Sequence, residues 1–138
     1  MSSPEWIRDG DEVLALVVRN DYVPAATEFL TPADFKQQLG FIVYDAGGLI
    51  YAHDHKPLQR TLVGTSEVLL VKKGRVEAYF YSTKRTLVCK LLLGEGDVLL
   101  LVAGGHGFRM LEDSILLEIK QGPYTGMEEK ERFSERLE

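Results

Sequence analysis

Cysteine is almost missing from this chain: Cys89 is the single one, which excludes an intramolecular disulfide. It lies within Leu87-Val88-Cys89, the setting of a buried structural thiol rather than of a nucleophile. Long hydrophobic runs are missing too, and none approaches the roughly 20 residues that a membrane-crossing helix needs. Positive charge is in deficit, with 16 Lys and Arg against 21 Asp and Glu and a net charge of −5. The basic residues are scattered rather than banded, which argues against nucleic acid as the main partner. The opening Met1-Ser-Ser-Pro-Glu-Trp lacks the basic and apolar regions of a signal peptide. These shortages lead us to expect a cytoplasmic protein with no membrane partner.

What the chain has is β-pattern. In 138 residues, 45% hydrophobic and 27% charged, one domain with a single core is the natural expectation. Segments 13–18, 41–44, 49–53, 67–72, 75–81, 86–92, 97–102 and 115–119 are short, rich in Val, Leu, Ile and aromatics, and separated by turn residues. Within 75–81, Val76, Ala78 and Phe80 alternate with Arg75, Glu77 and Tyr79, as in a half-exposed strand. Val98 to Val102 is continuously apolar and belongs in the middle of a sheet. Hairpin turns are expected at Lys72–Arg75 and Ser82–Arg85, with a third turn at Gly94–Asp97. Helix is scarce: one short turn after Thr31-Pro32, and a charged tail over 125–138 that either frays or forms a terminal helix from Met127. The expected layout is a single domain over 1–138, with an N-terminal strand segment 1–30 and a core barrel at about 36–122.

The chain holds three histidines, and two are one residue apart, His53-Asp54-His55. On a strand, residues i and i+2 share a face, so these imidazoles would stand side by side. Imidazole is the commonest transition-metal ligand and the usual proton carrier near neutral pH, which sets a metal site against acid–base catalysis. Gly47, five residues and then His53-Asp54-His55, followed later by Glu67, six residues and Gly74, resemble the first motif of the cupin family. The departure is a gap of eleven residues between His55 and Glu67, longer than the family's. Gly96, five residues, Val102-Ala103-Gly104 and then His106 resemble the second motif, without its proline and with Met110 where asparagine is usual.

The resemblance implies an all-β cupin fold: a double-stranded β-helix, or jelly-roll barrel, of two antiparallel sheets with little helix. It implies one divalent transition metal (Fe, Mn, Zn, Ni or Cu) held by His53, His55, Glu67 and His106. It also implies a homodimer, to which Trp6 and segment 13–18 are expected to contribute. A Gly122-Pro123-Tyr124 close is similar to that of small cupins linked to cell-surface sugar biosynthesis.

Further candidates follow from the residues themselves. Glu118 and Lys120 share a strand face with Leu116; facing inward they form an acid–base or binding pair, and facing outward a surface ion pair of little consequence. Arg60, in the long loop, suits a carboxylate or phosphate. Tyr51 and Phe108 are candidate pocket walls. Gly104-Gly105 is no phosphate loop, since neither helix pattern nor lysine follows; close backbone packing near His106 explains it better. Three functions are expected from this set. The first is a metal-dependent enzyme of isomerase or epimerase type on a sugar, sugar nucleotide or keto acid, or a dioxygenase, with Glu118 moving protons. The second is a metal-free ketoisomerase or epimerase with His55 as base. The third is a small-molecule-binding or sensing barrel without catalysis.

Overall fold

The structure is a computed structural model that describes residues 2–123, 126 and 130–133. It divides into two compact units, Met1–Tyr22 with Thr65–Glu138, and Val23–Gly64.

The first unit is all β. Its strands are β1 (Glu5–Asp9) and β2 (Glu12–Val18), then, after two short strands of the other unit (β3, Glu28–Phe29; β4, Gly40–Phe41), β5 (Glu67–Lys73), β6 (Val76–Tyr81), β7 (Leu87–Leu93), β8 (Val98–Leu101), β9 (Gly105–Met110) and β10 (Ile115–Lys120). They form a five-stranded sheet in the order β1-β2-β8-β5-β10 and a three-stranded sheet in the order β7-β6-β9. All pairings are antiparallel. Leu69, Val71, Leu99 and Leu101 of the larger sheet share one buried cluster with Ala78, Phe80 and Leu93 of the smaller. Two antiparallel sheets over a common core make a sandwich compatible with a jelly roll.

The apolar run at 98–101 is central, flanked by β2 and β5, as its lack of polar alternation requires. β6 departs from the half-exposed pattern: Tyr79 is as buried as Phe80, each about 1% exposed. Segment 13–18 is also spent inside the sheet, with Leu14 to Val18 at most 3% exposed. Ser82–Arg85 does close a hairpin between β6 and β7, with Ser82 N donating to Thr86 O at 2.8 Å. The other two turns are not hairpins; they carry the chain from one sheet to the other. At the first of them Gly74 has φ of 93°, and a Cβ there would lie 2.2 Å from Ser114 Oγ, so no other residue fits. At the second, Asp97 is buried and accepts hydrogen bonds from Gly94 N (2.8 Å), Asn20 N (2.8 Å) and the Arg19 guanidinium (3.1 Å). Arg19 also pairs with Glu5 at 2.6 Å, so one ion-pair network ties β1, β2 and the β7–β8 turn.

The second unit carries little regular structure. β3 pairs with β4 over two residues each, and the expected helical turn after Pro32 is a turn only, closed by Phe35 N donating to Pro32 O at 3.1 Å. Strands expected at 41–44 and 49–53 are not formed, apart from Phe41 in β4. Leu49, Ile50 and Tyr51 have strand propensity but no ladder partner to satisfy their backbone groups. No helix occurs between residues 2 and 123. Among the described residues no helix is long and apolar enough to cross a membrane. Most of the expected terminal helix, like Tyr124, lies outside the described residues, while 130–133 is neither helix nor strand.

Candidate functional site

Strand alternation positions the site. On β5, Glu67 shares a face with Leu69 and Val71, both core residues, so its carboxyl enters the space between the sheets. On β10, which pairs Lys120 with Glu67 and Glu118 with Leu69, the residue two before Glu118 is Leu116, packed against the core. Glu118 and Lys120 therefore follow Leu116 on the inward face. On β9, His106 lies opposite Phe80 and Phe108 opposite Ala78, and Phe108 packs on the core. His106 thus also points inward, its ring centroid 5.9 Å from that of Phe108.

These side chains meet in a pocket of about 870 Å³ lined wholly by the first unit, with Glu67, His106, Phe108, Glu118 and Lys120 in its walls. His106 Nε2 lies 3.7 Å from Glu67 Oε1, with the two side chains 32% and 18% exposed. Glu67 and Glu118 hydrogen-bond each other, which requires that the pair hold one proton between them. Burial first, then the bond to Glu118, push Glu67 up to about 7, while that same bond holds Glu118 below the ordinary carboxylate range. Burial, aided by the Lys130 ammonium, pushes His106 down, which keeps its imidazole neutral at physiological pH.

The raised carboxyl has a stability consequence. Folded Glu67 binds its proton more tightly than the unfolded chain, so that contribution is intact below the ordinary carboxylate pKa and disappears as pH rises through about 7. Glu118 works the other way, and only at lower pH. Glu67→Gln is therefore expected to gain on the wild type between about pH 5 and about pH 8, by on the order of 1 kcal/mol for a partly solvated pair. Urea unfolding at the two pH values measures it; an unchanged difference would show that the pair shares no proton.

Cys89, packed against the core, has its thiol pushed up by burial, so it stays protonated. The glycine pair before His106 has a physical reason. Gly104 has φ of 73° and passes Tyr81 so closely that a Cβ would sit 2.2 Å from its carbonyl oxygen.

His53, His55, Tyr51 and Arg60 belong to the other unit, in a stretch of exposed residues without a strand. His53 and His55 are therefore not on a strand, yet their rings stay adjacent, 5.3 Å apart and edge to face. His53 Nδ1 is 2.7 Å from Tyr51 O, and Tyr51 is 80% exposed. The expected four-ligand metal set thus draws on both units. Among the described residues, no group of three or more His, Cys, Asp or Glu side chains could hold a metal ion.

Sequence reasoning missed Tyr81, Arg85, Lys130, Arg132 and Phe133, which also line the pocket. Arg85 reads as a turn residue and the others as barrel or tail, and nothing in their spacing signals a site. Comparison with protein families, with curated proteins and with solved structures returns no match.

Proposed function

We propose that this protein is a proton-transfer enzyme of the isomerase type, built on a cupin-like jelly roll. Its substrate would be a small hydroxy-carbonyl compound: a sugar, a sugar nucleotide or a hydroxylated keto acid. The observation that carries this reading is the convergence of His106, the Glu67–Glu118 pair and Lys120, from three strands, in one pocket large enough for such a molecule.

The residues divide the work as follows. Neutral His106 takes the proton from the carbon bearing the hydroxyl, and the electron pair moves toward the carbonyl. Glu67 gives its proton to the carbonyl oxygen, and an enediol results. Glu118 then takes the hydroxyl proton from the second oxygen as His106 delivers its proton to the carbon that bore the carbonyl. The carbonyl has moved by one carbon, and the proton gained by Glu118 passes back to Glu67 along their hydrogen bond. Atoms and charge balance, and the carboxyl pair ends as it began.

Incubation in D2O with a panel of aldoses, ketoses, sugar nucleotides and hydroxy-keto acids tests the reading by proton NMR. Deuterium should enter beside the carbonyl of at least one compound. A wild-type protein that binds a panel member yet exchanges none of its carbon-bound protons overturns it.

A metal-dependent reading has one observation in its favour, the adjacent rings of His53 and His55 within the cupin-like motif. Those two histidines belong to one unit and Glu67 and His106 to the other, so no step is routed through that group. Metal analysis after purification without added metal separates the readings: stoichiometric metal lost in His53→Ala would restore the four-ligand site. The homodimer implied by the cupin resemblance stands as part of the same proposal.

A further inference from the structure

We propose that residues 130–133 form a cationic clamp on the pocket, and that the pocket's ligand carries an oxyanion held by Lys130 and Arg132 with Lys120. The inference deepens the reading above by naming the substrate's chemical class, and it rests on that pocket being the site.

Phe133 is the anchor. Its ring meets Tyr81 edge to face, with centroids 5.1 Å apart and planes at 88°. The Arg85 guanidinium lies over the same Phe133 ring, 4.9 Å from its centroid. The seat itself is Gly105: a Cβ there would lie 2.7 Å from Phe133 Cζ, so the missing side chain is what admits the ring. Arg85 also reaches Glu131 at 3.2 Å, but that pair is exposed and contributes little, leaving the aromatic seat to set the segment's position. In a segment that is neither helix nor strand, such side-chain anchoring takes the place of a backbone ladder.

What the anchor brings in is positive charge. The pocket is lined by Arg85, Lys120, Lys130 and Arg132 against the carboxyl groups of Glu67, Glu118 and Glu131. Cationic side chains outnumber carboxyl groups in that lining by four to three. The pocket is thus net positive in a chain whose net charge is −5. A concave surface of one sign, opposite to that of the whole protein, concentrates ligands of the other sign. Lys130 shares the lining of the pocket with Glu67, Glu118 and His106. An anion bound there sits where a carboxylate or phosphate of a hydroxy-carbonyl substrate would be. Lysine meets such groups as a point charge and arginine by its planar fork.

Calorimetric titration of the full chain with inorganic phosphate and, separately, with malonate tests this and distinguishes phosphate from carboxylate. Binding of at least one probe to the wild type is expected, weakening as salt is added. It should weaken by about tenfold or more in the Lys130→Ala, Arg132→Ala double variant and in Phe133→Ala. Phe133→Ala keeps all the cations, so its loss of affinity reports the anchor alone. Glu67→Gln should still bind the anion, whether or not deuterium exchange is lost. Failure to bind either probe, or equal binding by the wild type and the double variant, overturns the clamp. Retained anion binding without exchange on any substrate overturns the isomerase reading and leaves the clamp standing.

Discussion

His106→Gln is expected to slow deuterium exchange by about 10²–10⁴-fold, the range over which a positioned general base contributes. Glutamine keeps a hydrogen-bonding group on β9 but cannot accept a proton, and the side chain is 32% exposed, so the sandwich should tolerate it. The loss should appear in the rate at saturating substrate, with anion binding preserved. The neutral imidazole also predicts a pH profile. His106 is pushed down by burial and by Lys130, so the base remains available below the pH at which an ordinary histidine protonates. Exchange that persists undiminished in His106→Gln would remove this residue from the reaction.

The largest loss of stability is expected at a distance from the pocket. Asp97→Ala should lower the unfolding free energy by about 3–5 kcal/mol, measured from denaturant midpoints, because one partner of a nearly buried ion pair is removed. Asp97 is about 7% exposed and accepts from two backbone amides as well as Arg19. Without it, Gly94 N, Asn20 N and the guanidinium lose a shared acceptor at the turn that leads from β7 to β8. Asp97→Asn should cost less, since its amide oxygen still accepts from one amide hydrogen. A loss below about 1 kcal/mol for the alanine variant would mean that water replaces the carboxylate freely.

The two cases differ in how legible they were. The strands with continuous or alternating apolar residues, β2, β5, β6, β7, β8 and β10, follow from local pattern. β9 does not. Gly105-His106-Gly107 has little strand propensity of its own, and pairing with β6 makes it a strand. The reverse error occurs at 49–53, where Leu49-Ile50-Tyr51 has the propensity and no ladder. Propensity describes a willingness to pair; a partner strand decides whether the pairing exists.

His106, Glu118, Lys120 and Phe108 were identifiable as chemistry-bearing or pocket residues from the sequence, and Glu67 through the cupin resemblance. Glu67 and His106 were expected around an ion shared with His53 and His55; the structure sets all five in one pocket wall with Lys130, Arg132 and Phe133. Residues 130–133 carry no periodicity and come from beyond the last strand, so no local signal ties them to Tyr81 or Gly105. Gly105 itself can be read only in hindsight, since an empty Cβ position has meaning only once the ring that fills it is known.

By itself the chain's pattern of short apolar segments determined an all-β fold, because period-2 burial is a property of neighbouring residues. The inward face of Glu118 and Lys120 was left open by that same pattern, as either face satisfies the alternation. Tertiary structure decided it, through the packing of Leu116 on the core and the antiparallel register that sets Lys120 opposite Glu67. Which charges share a pocket depends on distances between strands far apart in sequence, and only the folded sheets bring those distances within reach of a proton.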